Sequence, residues 1–514
     1  MLDITANNIR ILKNTLLLYA RMLIMICVTL YTSRVVISAL GIVDYGIFNV
    51  VGGLVVIFGF VNSSMASATS RYLTFALGKN DSAQLKTVFD NSLIIHRVIA
   101  ALVFVFGEII GVWFLYDQMH IPPERLNAAF WVLQCSLIST AIVIMSVPYN
   151  ADIIAHEKMS VFAAVSVTEV LLKLLAVCLL SFFKSDKLIL YSIFLLLIQV
   201  AIRVLYGIYT HRCFVETRGR RVRNKKLQIE ILKFASWSLF GNFSLVMYTQ
   251  GLNILLNVFC GTAVNAARAI AVQVQGAVNQ FIGNFQMALN PQITKYYAIN
   301  EYAAMRSLAS NSARFSFFLF MLMAIPIQVE APYLLSLWLG NGNVPENTVV
   351  FVRIILLIGL VTTLSNPLIV MAQASGNIRK FQVITGTISL LILPVSYICL
   401  KSGSPAYSVF IVHLSVETVD LFVRVCLLRK LIDISLKEYF RNVVLRIFPV
   451  FILSYPLPIL VHDIMDSSIG SFLTVCMISL LSSCLLIYCI GMNSIEKRMI
   501  IAKCKFIYGN IIKH

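Results

Sequence analysis

Long apolar segments recur along almost the whole of this 514-residue sequence, and they limit its possible folds more than any other feature. A helix needs about 20 residues, rising 1.5 Å each, to cross the ~30 Å hydrocarbon core of a bilayer. Runs of that length predict fourteen membrane-spanning helices, numbered here as spans 1 to 14. In chain order their approximate limits are 15–40, 46–66, 88–116, 126–149, 160–182, 188–210, 230–259, 265–288, 313–338, 347–373, 379–400, 405–428, 442–461 and 469–491.

Charged residues are too few to cover a water-soluble surface. Asp, Glu, Lys and Arg make up 12% of the chain and hydrophobic residues 59%, whereas soluble domains carry ~25% charged residues. Fourteen spans leave only short connections, so the sequence predicts no separate soluble domain. We therefore predict an all-α integral membrane protein with many passes.

The distribution of basic residues predicts the orientation of the spans. The chain holds 41 Lys and Arg against 23 Asp and Glu, and Lys and Arg are concentrated on the cytoplasmic side of membrane proteins. An N-terminus in the cytoplasm leaves few of them in outward loops, namely Arg125, Lys184, Lys187 and Lys401. The basic tail after Gly491 then also lies in the cytoplasm, as an even number of spans requires.

The densest basic run, 212–226, joins spans 6 and 7 and contains one aromatic residue, Phe214. Patches that bind nucleic acid interleave aromatic with basic residues or lie on a folded module. We therefore predict a cytoplasmic loop that contacts anionic membrane lipids, and no nucleic-acid partner.

The sequence indicates neither metal binding nor catalysis. The eleven cysteines are scattered without CxxC spacing, and the seven histidines form no HExxH or similar ligand pattern. The outward loops are short, and Asp117, His120 and Glu124 are the nearest approach to a cluster of acid–base residues. We predict no metal, no cofactor, no disulfide and no enzymatic activity.

The two halves of the sequence align at a nearly constant offset. Identical residues lie 220 positions apart at Lys13 and Lys233, Gly41 and Gly261, Asn80 and Asn300, and Asn91 and Asn311. Spans 1 to 3 coincide with spans 7 to 9 under the same shift. Repeats of six spans keep one orientation in the membrane, so two six-helix bundles are expected around an axis along the membrane normal, with a cavity between them.

This parallel repeat predicts the domain organisation and two hinges. The expected parts are an N-terminal lobe of spans 1 to 6 (1–210), the basic loop (211–229), a C-terminal lobe of spans 7 to 12 (230–430), and spans 13 and 14 with a basic tail (431–514). Pro148 in span 4 and Pro367 in span 10 lie 219 positions apart. Proline removes a helical hydrogen bond and bends the helix, so both are predicted hinges.

Charged side chains within spans are candidates for function, because each costs about 2.5–3.5 kcal/mol at the bilayer centre on insertion scales. Glu169 with Lys173, and Asp420 with Arg424, are spaced for ion pairs one helical turn apart. Their role, structural or in ion coupling, stays open. Arg203 lies near the cytoplasmic end of span 6 and is expected to reach the interface.

The other basic residues singled out within spans outnumber the acids that have no evident partner. The basic set is Arg21, Arg34, Arg97, Arg268 and Arg353, and the acidic set is Glu108, Glu330 and Glu417. The predicted cavity is therefore cationic, although each arginine has the alternative of anchoring a helix end. Guanidinium groups bind phosphate oxygens through paired hydrogen bonds, so the cavity suits a diphosphate. Amide side chains in spans 2, 7 and 8, including Asn253 and Gln273, are candidates for binding sugar hydroxyls or joining helices.

Three stretches of the chain carry a resemblance to a known superfamily. They are Ser38-Ala-Leu-Gly-Ile-Val-Asp-Tyr-Gly46 between spans 1 and 2, Asn62-Ser-Ser-Met-Ala-Ser-Ala-Thr-Ser-Arg-Tyr72 from span 2 into its loop, and their counterpart Ala288-Leu-Asn-Pro-Gln292. With two six-span bundles and two extra spans, the chain resembles the MOP superfamily, which includes MATE drug antiporters, and more closely its Wzx-type lipid-linked oligosaccharide flippases. Ser38 stands where that branch has arginine, and we infer that Arg34, on the same helical face, replaces it.

The resemblance implies a flippase that carries polyprenyl-pyrophosphate-linked oligosaccharide, a precursor of O-antigen, capsule or exopolysaccharide, across the bacterial cytoplasmic (inner) membrane by alternating access. The predicted substrate-binding residues are then Arg21, Arg34, Arg97, Arg268, Arg353, Asn253 and Gln273. Membrane lipids and other polysaccharide-assembly membrane proteins are the expected partners. A MATE-like cation or drug antiporter is the alternative, but that chemistry needs buried carboxylates and spans 1 and 2 contain none. The glycan, the coupling ion (H⁺ or Na⁺), the oligomeric state and the role of spans 13 and 14 stay open.

Overall fold

The chain folds into helices throughout the part that the structure, a computed structural model, describes. That part comprises residues 4–41, 44, 47–48, 51, 59–117, 121–183, 185–219, 222–340, 344–432, 434–466, 468–494 and 496–498, and it contains no strand. Ten of its helices are long and apolar enough to cross a membrane, and a shorter apolar stretch, Asn14–Thr29, lies within the first helix. The predicted all-α membrane fold is thus confirmed.

Six helices are described in the first half of the chain. They are α1 (Ile4–Leu40), α2 (Gly59–Gly78), α3 (Ser82–Asp117), α4 (Leu126–Ala155), α5 (Met159–Leu179) and α6 (Lys187–Cys213). Predicted span 2 falls partly outside the described residues, and α2 continues past its predicted end at 66 to Gly78. The predicted end is too early because Ser67, Thr69 and Ser70 interrupt the apolar run without ending the helix.

The second half contains one very long helix followed by shorter ones. They are α7 (Lys225–Ala298), α8 (Tyr302–Val329), α9 (Ala331–Leu339), α10 (Thr348–Ser375), α11 (Arg379–Leu390), α12 (Ile392–Lys401), α13 (Ser408–Ile432), α14 (Leu436–Tyr439), α15 (Leu445–Leu453), α16 (Pro456–Ile464) and α17 (Ile469–Leu486). Predicted spans 7 and 8 both lie in α7, separated at Gly261, whose φ of 84° and ψ of 179° break the helix. Glycine accepts this conformation without the strain that a Cβ would introduce.

The chain divides into two compact units. Unit 1 consists of Met1–Phe243, Met287–Glu301 and Gly376–Val383, and unit 2 of Ser244–Gln286, Tyr302–Ser375 and Ile384–His514. In unit 1, α4 packs against α2, α3 and α6, and α1 packs against α5. In unit 2, α10 packs against α8 and α13. Both ends of α7 therefore belong to unit 1, whereas its middle belongs to unit 2.

The internal repeat is visible in the backbone conformation. Three pairs of residues in the left-handed region lie 219 or 220 positions apart, with φ angles of 80° and 84° at Gly41 and Gly261, 54° and 61° at Asn80 and Asn300, and 59° and 77° at Glu157 and Gly376. The helix-ending hydrogen bonds also match, since the Asn80 amide donates to the Leu77 carbonyl at 3.0 Å and the Asn300 amide to the Tyr297 carbonyl at 3.1 Å. Left-handed backbone is uncommon outside glycine, so this recurrence supports a duplicated fold.

Both predicted hinge prolines, Pro148 in α4 and Pro367 in α10, are buried inside long helices. Because proline has no N–H, Pro367 leaves the Thr363 carbonyl, four residues earlier, without its helical donor. Gln286 on α7 donates to that carbonyl at 3.2 Å and to Ser316 Oγ on α8 at 3.1 Å. A side chain of unit 2 thus compensates the break at Pro367, while motion at the two prolines stays a prediction.

Candidate substrate-binding residues and charged clusters

Arg268 has the best-defined surroundings among the predicted substrate-binding residues. It lies on α7 within unit 2, where its guanidinium donates to Asn253 Oδ1 at 3.3 Å and to the Thr249 carbonyl at 2.7 Å. Asn253 is itself a predicted site residue, so the structure brings two of them together. These bonds use two of the five guanidinium N–H donors, and the side chain is only half-buried.

Buried polar residues of α13 lie close to Arg268 within unit 2. His413 interacts electrostatically with Arg268, and its ring lies against Tyr248 with 5.1 Å between centroids. Tyr248 interacts electrostatically with three charged residues of α13, namely Glu417, Asp420 and Arg424. Sequence reasoning missed Tyr248 and His413, because neither is charged at neutral pH and both lie in apolar runs.

The predicted Asp420–Arg424 ion pair is confirmed, with 2.5 Å between the Asp420 Oδ2 and Arg424 Nη2 atoms. Glu417 accepts a long hydrogen bond of 3.5 Å from Ser365 on α10. We call Glu417, Asp420 and Arg424 the α13 cluster. It contains two buried carboxylates and one arginine, which pairs with Asp420. Such a cluster can hold a proton or a small cation.

One face of α7 beyond Arg268 carries mostly amide and small side chains, together with Val272, and is exposed. Gln273, Gly276 and Gln280 are exposed, and a Cβ added at Gly276 or Gly283 would meet no atom within 4 Å. The exposed face of α3, by contrast, is mostly valine, leucine, isoleucine, phenylalanine and tryptophan, although Arg97 and Tyr116 are also exposed there. Amide groups facing hydrocarbon would lose their hydrogen bonds to water at a cost of several kcal/mol, on the order of 4–8 in alkane. We therefore expect this face of α7 to line a water-filled cavity.

Other amides of the predicted polar band join helices instead. Gln275 donates to the Ile355 carbonyl on α10 at 3.1 Å, and Asn242 donates to Ser64 Oγ on α2 at 2.8 Å. With Gln286, these side chains act as interhelical contacts within their own units. Exposure thus distinguishes the two roles predicted for the amides. The side chains of Gln273 and Gln280 are exposed, whereas those of Gln275, Asn242 and Gln286 contact neighbouring helices.

Arg21 lies in unit 1 on α1, in different surroundings from Arg268. Its guanidinium carbon is 4.5 Å from the centroid of the Phe162 ring, and it interacts electrostatically with Glu169 on α5. The predicted Glu169–Lys173 ion pair is confirmed at 2.7 Å, and Gln199 donates to the same carboxylate oxygen at 3.0 Å. Arg21 Nε is buried without a hydrogen-bond acceptor among the described atoms. An anion reaching Arg21 would satisfy that donor.

Arg97 and Arg203 line one pocket of about 460 Å³ in unit 1, where α3, α4 and α6 meet. The remaining lining is apolar apart from backbone and includes Leu93, Met145 and Ile208. Arg203 stacks on Tyr149, with 3.8 Å between the guanidinium carbon and the ring centroid. The structure thus groups Arg97 with an arginine that the sequence assigned to the interface.

Arg353 lies in unit 2 and is tied to α8 through Gln328. Arg353 Nε donates to the Gln328 carbonyl at 3.0 Å, and Gln328 Nε2 donates to the Arg353 carbonyl at 2.9 Å. The Tyr455 hydroxyl hydrogen-bonds to Gln328 Oε1. These residues line a pocket of about 620 Å³ that His462 also borders. His462 is 2.8 Å from the buried carboxylate of Glu330, a contact that the sequence did not reveal.

The structure says less about two other predicted site residues, Gln273 and Arg34. Gln273 is exposed on the open face of α7. The backbone of Arg34 belongs to α1, but its side chain is not among those described.

The sequence analysis did not select Arg314, which is 1% exposed on α8 and forms an ion pair with Glu496.

Glu157 forms a buried contact with residues of the other sequence repeat. All of these residues belong to unit 1. It accepts hydrogen bonds from Lys295 Nζ at 2.5 Å and from Gln292 Nε2 at 2.7 Å, so the turn after α4 is joined to the end of α7. Its side chain is 1% exposed, whereas that of Lys295 is 22% exposed. At the equivalent position in the other repeat, Gly376 leaves room for the guanidinium of Arg71, which would lie 2.6 Å from an added Cβ.

Arg125 connects two acids on the predicted outward face of unit 1. It donates to Asp44 Oδ1 at 2.8 Å and to Asp186 Oδ2 at 2.6 Å. Burial disfavours the charged form of Asp186, but hydrogen bonds from Arg125 and from the backbone amides of Ile189 and Leu188 outweigh it and lower the pKa of this carboxyl. Asp186 also caps the start of α6 through those amides.

Comparison with known proteins adds information on the fold. No family model and no curated protein sequence matches the chain. A structure of MATE in the bent conformation has 14% identity and a TM-score of 0.71, covering 83% of this chain and 96% of its own. The outward-facing conformation of a multidrug resistance MATE family transporter of the MOP superfamily has 15% identity and a TM-score of 0.70, covering 82% and 96%.

A third similar structure is a MOP superfamily transporter from Pyrococcus furiosus, with 15% identity, a TM-score of 0.68 and coverage of 82% of this chain and 96% of its own. It is described as having a binding pocket of reverse polarity that suggests a different function. Identities this low establish similarity of fold. This chain therefore has the fold of the MATE transporters of the MOP superfamily.

Proposed function

We propose that the protein is a flippase that moves polyprenyl-pyrophosphate-linked oligosaccharide across the bacterial cytoplasmic membrane. The observation that carries the proposal is the open face of α7, where Arg268 precedes an exposed row of amide and glycine residues. Amide groups both donate and accept hydrogen bonds, which suits sugar hydroxyls. The open space at Gly276 and Gly283 lets a sugar ring approach the helix backbone.

Arg268 and Arg21 supply the positive charge for the diphosphate. Arg268 retains donors beyond those used on Asn253 and Thr249, and Arg21 Nε has no acceptor within the described part of the chain. Arginine stays protonated in apolar surroundings and forms paired hydrogen bonds with phosphate oxygens. Arg34, Arg97 and Arg353 complete the proposed set, and the polyprenyl tail stays in the bilayer.

The charge of the first helix favours an anionic substrate over a cationic one. Described helix α1 contains Arg10, Lys13, Arg21 and Arg34 and no acid, and α2 contains Arg71 and no acid. A transporter of cationic drugs would need carboxylates to attract its substrate. The MOP transporter described with a reversed pocket polarity is consistent with a change of substrate on this fold.

Alternating access in this proposal uses bending at Pro148 and Pro367. The Glu157–Lys295 contact, within unit 1, joins the turn after α4 to the end of α7 during this bending. Both termini lie in the cytoplasm, and other polysaccharide-assembly proteins of the inner membrane supply the substrate and receive it.

The direct test is transport by purified protein in liposomes that contain a fluorescent polyprenyl-pyrophosphate oligosaccharide in one leaflet. The native protein is expected to move the lipid to the other leaflet, where an added glycosidase reaches it. The double variant Arg21→Ala, Arg268→Ala should lose this activity, whereas Lys225→Ala, which removes an exposed charge at the start of α7, should retain it. Normal transport by the double variant would refute the proposed role of the arginines.

A cation antiporter is the second candidate, and the α13 cluster is the observation in its favour. Glu417 and Asp420 are both buried, and carboxylates of this kind exchange protons or Na⁺ in ion-coupled transporters. Uptake of a cationic dye driven by an ion gradient, lost in Glu417→Gln or Glu330→Gln, would support this function. If the protein translocates the lipid in these liposomes but takes up no dye, the antiporter function is excluded.

A further inference from the structure

Three potential metal ligands meet where α4 ends on the predicted cytoplasmic side of unit 1. Asp152 and His156 lie one helical turn apart, and Glu216 reaches them from the segment after α6. The His156 Nε2 atom is 2.6 Å from Glu216 Oε1 and 3.8 Å from Asp152 Oδ1. One ligand atom of each residue lies within 4.8 Å of the others, so a single ion can contact all three.

Asp152 is the reason to expect a ligand at this cluster. Its side chain is 0% exposed, no N–H group among the described atoms hydrogen-bonds to either carboxylate oxygen, and it interacts with the Glu216 carboxyl instead. A buried carboxylate beside a second carboxyl is expensive, because no cationic or N–H donor replaces its lost hydration. A cation between the two acids would supply a positive partner for Asp152, whereas Glu216 already contacts His156 Nε2.

The cluster is held in place by the surrounding structure. The His156 ring stacks on Phe214, with 4.1 Å between centroids and 10° between planes. Lys86 Nζ donates to the Glu216 carbonyl at 3.4 Å, which fixes the backbone rather than neutralising the carboxylate. Asn91 on α3 accepts from the Asn224 amide at 2.9 Å and so anchors the far end of the same segment. The ligands are thus ordered before an ion arrives, which lowers the cost of binding.

We propose that Asp152, His156 and Glu216 form a binding site for a divalent transition-metal ion of the zinc class. One imidazole nitrogen and two carboxylate oxygens are ligands that zinc accepts, with water completing a tetrahedron. The nitrogen ligand disfavours Mg²⁺ and Ca²⁺, which prefer oxygen alone. Ligands at ~2.0 Å in a tetrahedron are roughly 3.3 Å apart. The His156–Glu216 contact therefore opens slightly when the ion replaces the hydrogen bond.

The proposed metal site is formed by other residues than the proposed substrate-binding residues, and it would have a different effect. Zinc there would tie the segment after α6 to the end of α4, directly beside the turn that carries Glu157. The bound ion would therefore hold that turn in the position from which Glu157 reaches Lys295.

The test is metal binding by the full-length protein purified in detergent and treated with a chelator. Addition of Zn²⁺ is expected to give one tight equivalent by calorimetry and by elemental analysis after gel filtration. Co²⁺ in its place should give the visible absorption of a tetrahedral site. Asp152→Asn and His156→Ala should each weaken Zn²⁺ binding at least tenfold, whereas the matched control His211→Ala, an exposed histidine at the end of α6, should not.

Asp152→His keeps a ligand at the same place and is expected to retain Zn²⁺, which separates loss of a ligand from loss of folding. Failure of the native protein to hold Zn²⁺, or unchanged binding in Asp152→Asn, would overturn the proposal.

Discussion

The Glu157–Lys295 pair allows a quantitative prediction, because its two partners differ in exposure. The Glu157 carboxylate is 1% exposed and Lys295 is 22% exposed, with 2.5 Å between their charged atoms. Lys295→Met leaves the Glu157 charge buried without its ion-pair partner, while the hydrogen bond from the Gln292 amide remains. Removing one partner of a buried pair costs about 3–5 kcal/mol, since the other charge is left uncompensated.

Glu157→Gln should cost less, because Lys295 can turn its ammonium group toward water. The loss is then that of charge-assisted hydrogen bonds, about 1.5–3 kcal/mol. Glu157→Gly should cost least, since glycine also relieves a left-handed backbone strain of about 1–2 kcal/mol. In the double variant Glu157→Gln, Lys295→Met, the stability should exceed that of Lys295→Met alone.

The assay is reversible unfolding by SDS in mixed detergent micelles, followed by loss of helical circular dichroism. The four variants are compared with the native protein at pH 7 in the same buffer. Equal losses in Lys295→Met and Glu157→Gln, or strictly additive losses in the double variant, would refute the reasoning. Those results would mean that the pair is solvated rather than buried.

Three further changes test other contacts by the same unfolding assay. Gln286→Leu should destabilise the protein by about 1–3 kcal/mol, because the Thr363 carbonyl loses its substitute donor. Gly359→Ala should cost about 1–3 kcal/mol, because the new methyl carbon would lie 2.2 Å from a phenylalanine ring. The Asp186–Arg125 contact should stabilise the protein above about pH 4 and be lost as the pH falls through the lowered pKa of Asp186; Asp186→Asn should remove this part of the pH dependence.

Helices and local pairs were predictable because they depend on residues close in sequence. Runs of apolar residues located the long helices, and the four-residue spacing of Glu169 and Lys173 predicted an ion pair that the structure contains. The ends of helices were less predictable. The polar residues near the end of α2 and Gly261 within α7 both interrupt an apolar run, yet α2 continues through its polar residues whereas α7 is broken at Gly261.

Contacts between distant residues could not be predicted from one sequence. Glu330 was recognised as an acid without a local partner, but its partner His462 lies 132 positions away. His156 and Glu216 are separated by 60 positions and have no recognisable ligand spacing. Such pairs depend on how helices pack, which local patterns do not encode.

The surroundings of the predicted arginines were likewise beyond the sequence. Arg97 and Arg268 look alike as isolated charges in apolar runs. One shares a pocket with a second arginine, and the other is held by an amide and a carbonyl oxygen. Lipid contact by the basic loop stays a prediction, and the sequence did not reveal that the Asn224 amide of this loop donates to Asn91 on α3.

The left-handed pairs carry a consequence for the ancestry of the protein. Turns of the same unusual conformation, spaced by 219 or 220 residues, are the pattern that duplication and fusion of a six-helix gene leaves. An ancestor of one such repeat would have needed two identical chains, each supplying the same turn. The third pair records their divergence, since one copy has glycine at the strained position and the other has Glu157, whose carboxylate binds a lysine of the opposite repeat. Asymmetry between the halves has thus been acquired at a point where the backbone still keeps the original symmetry.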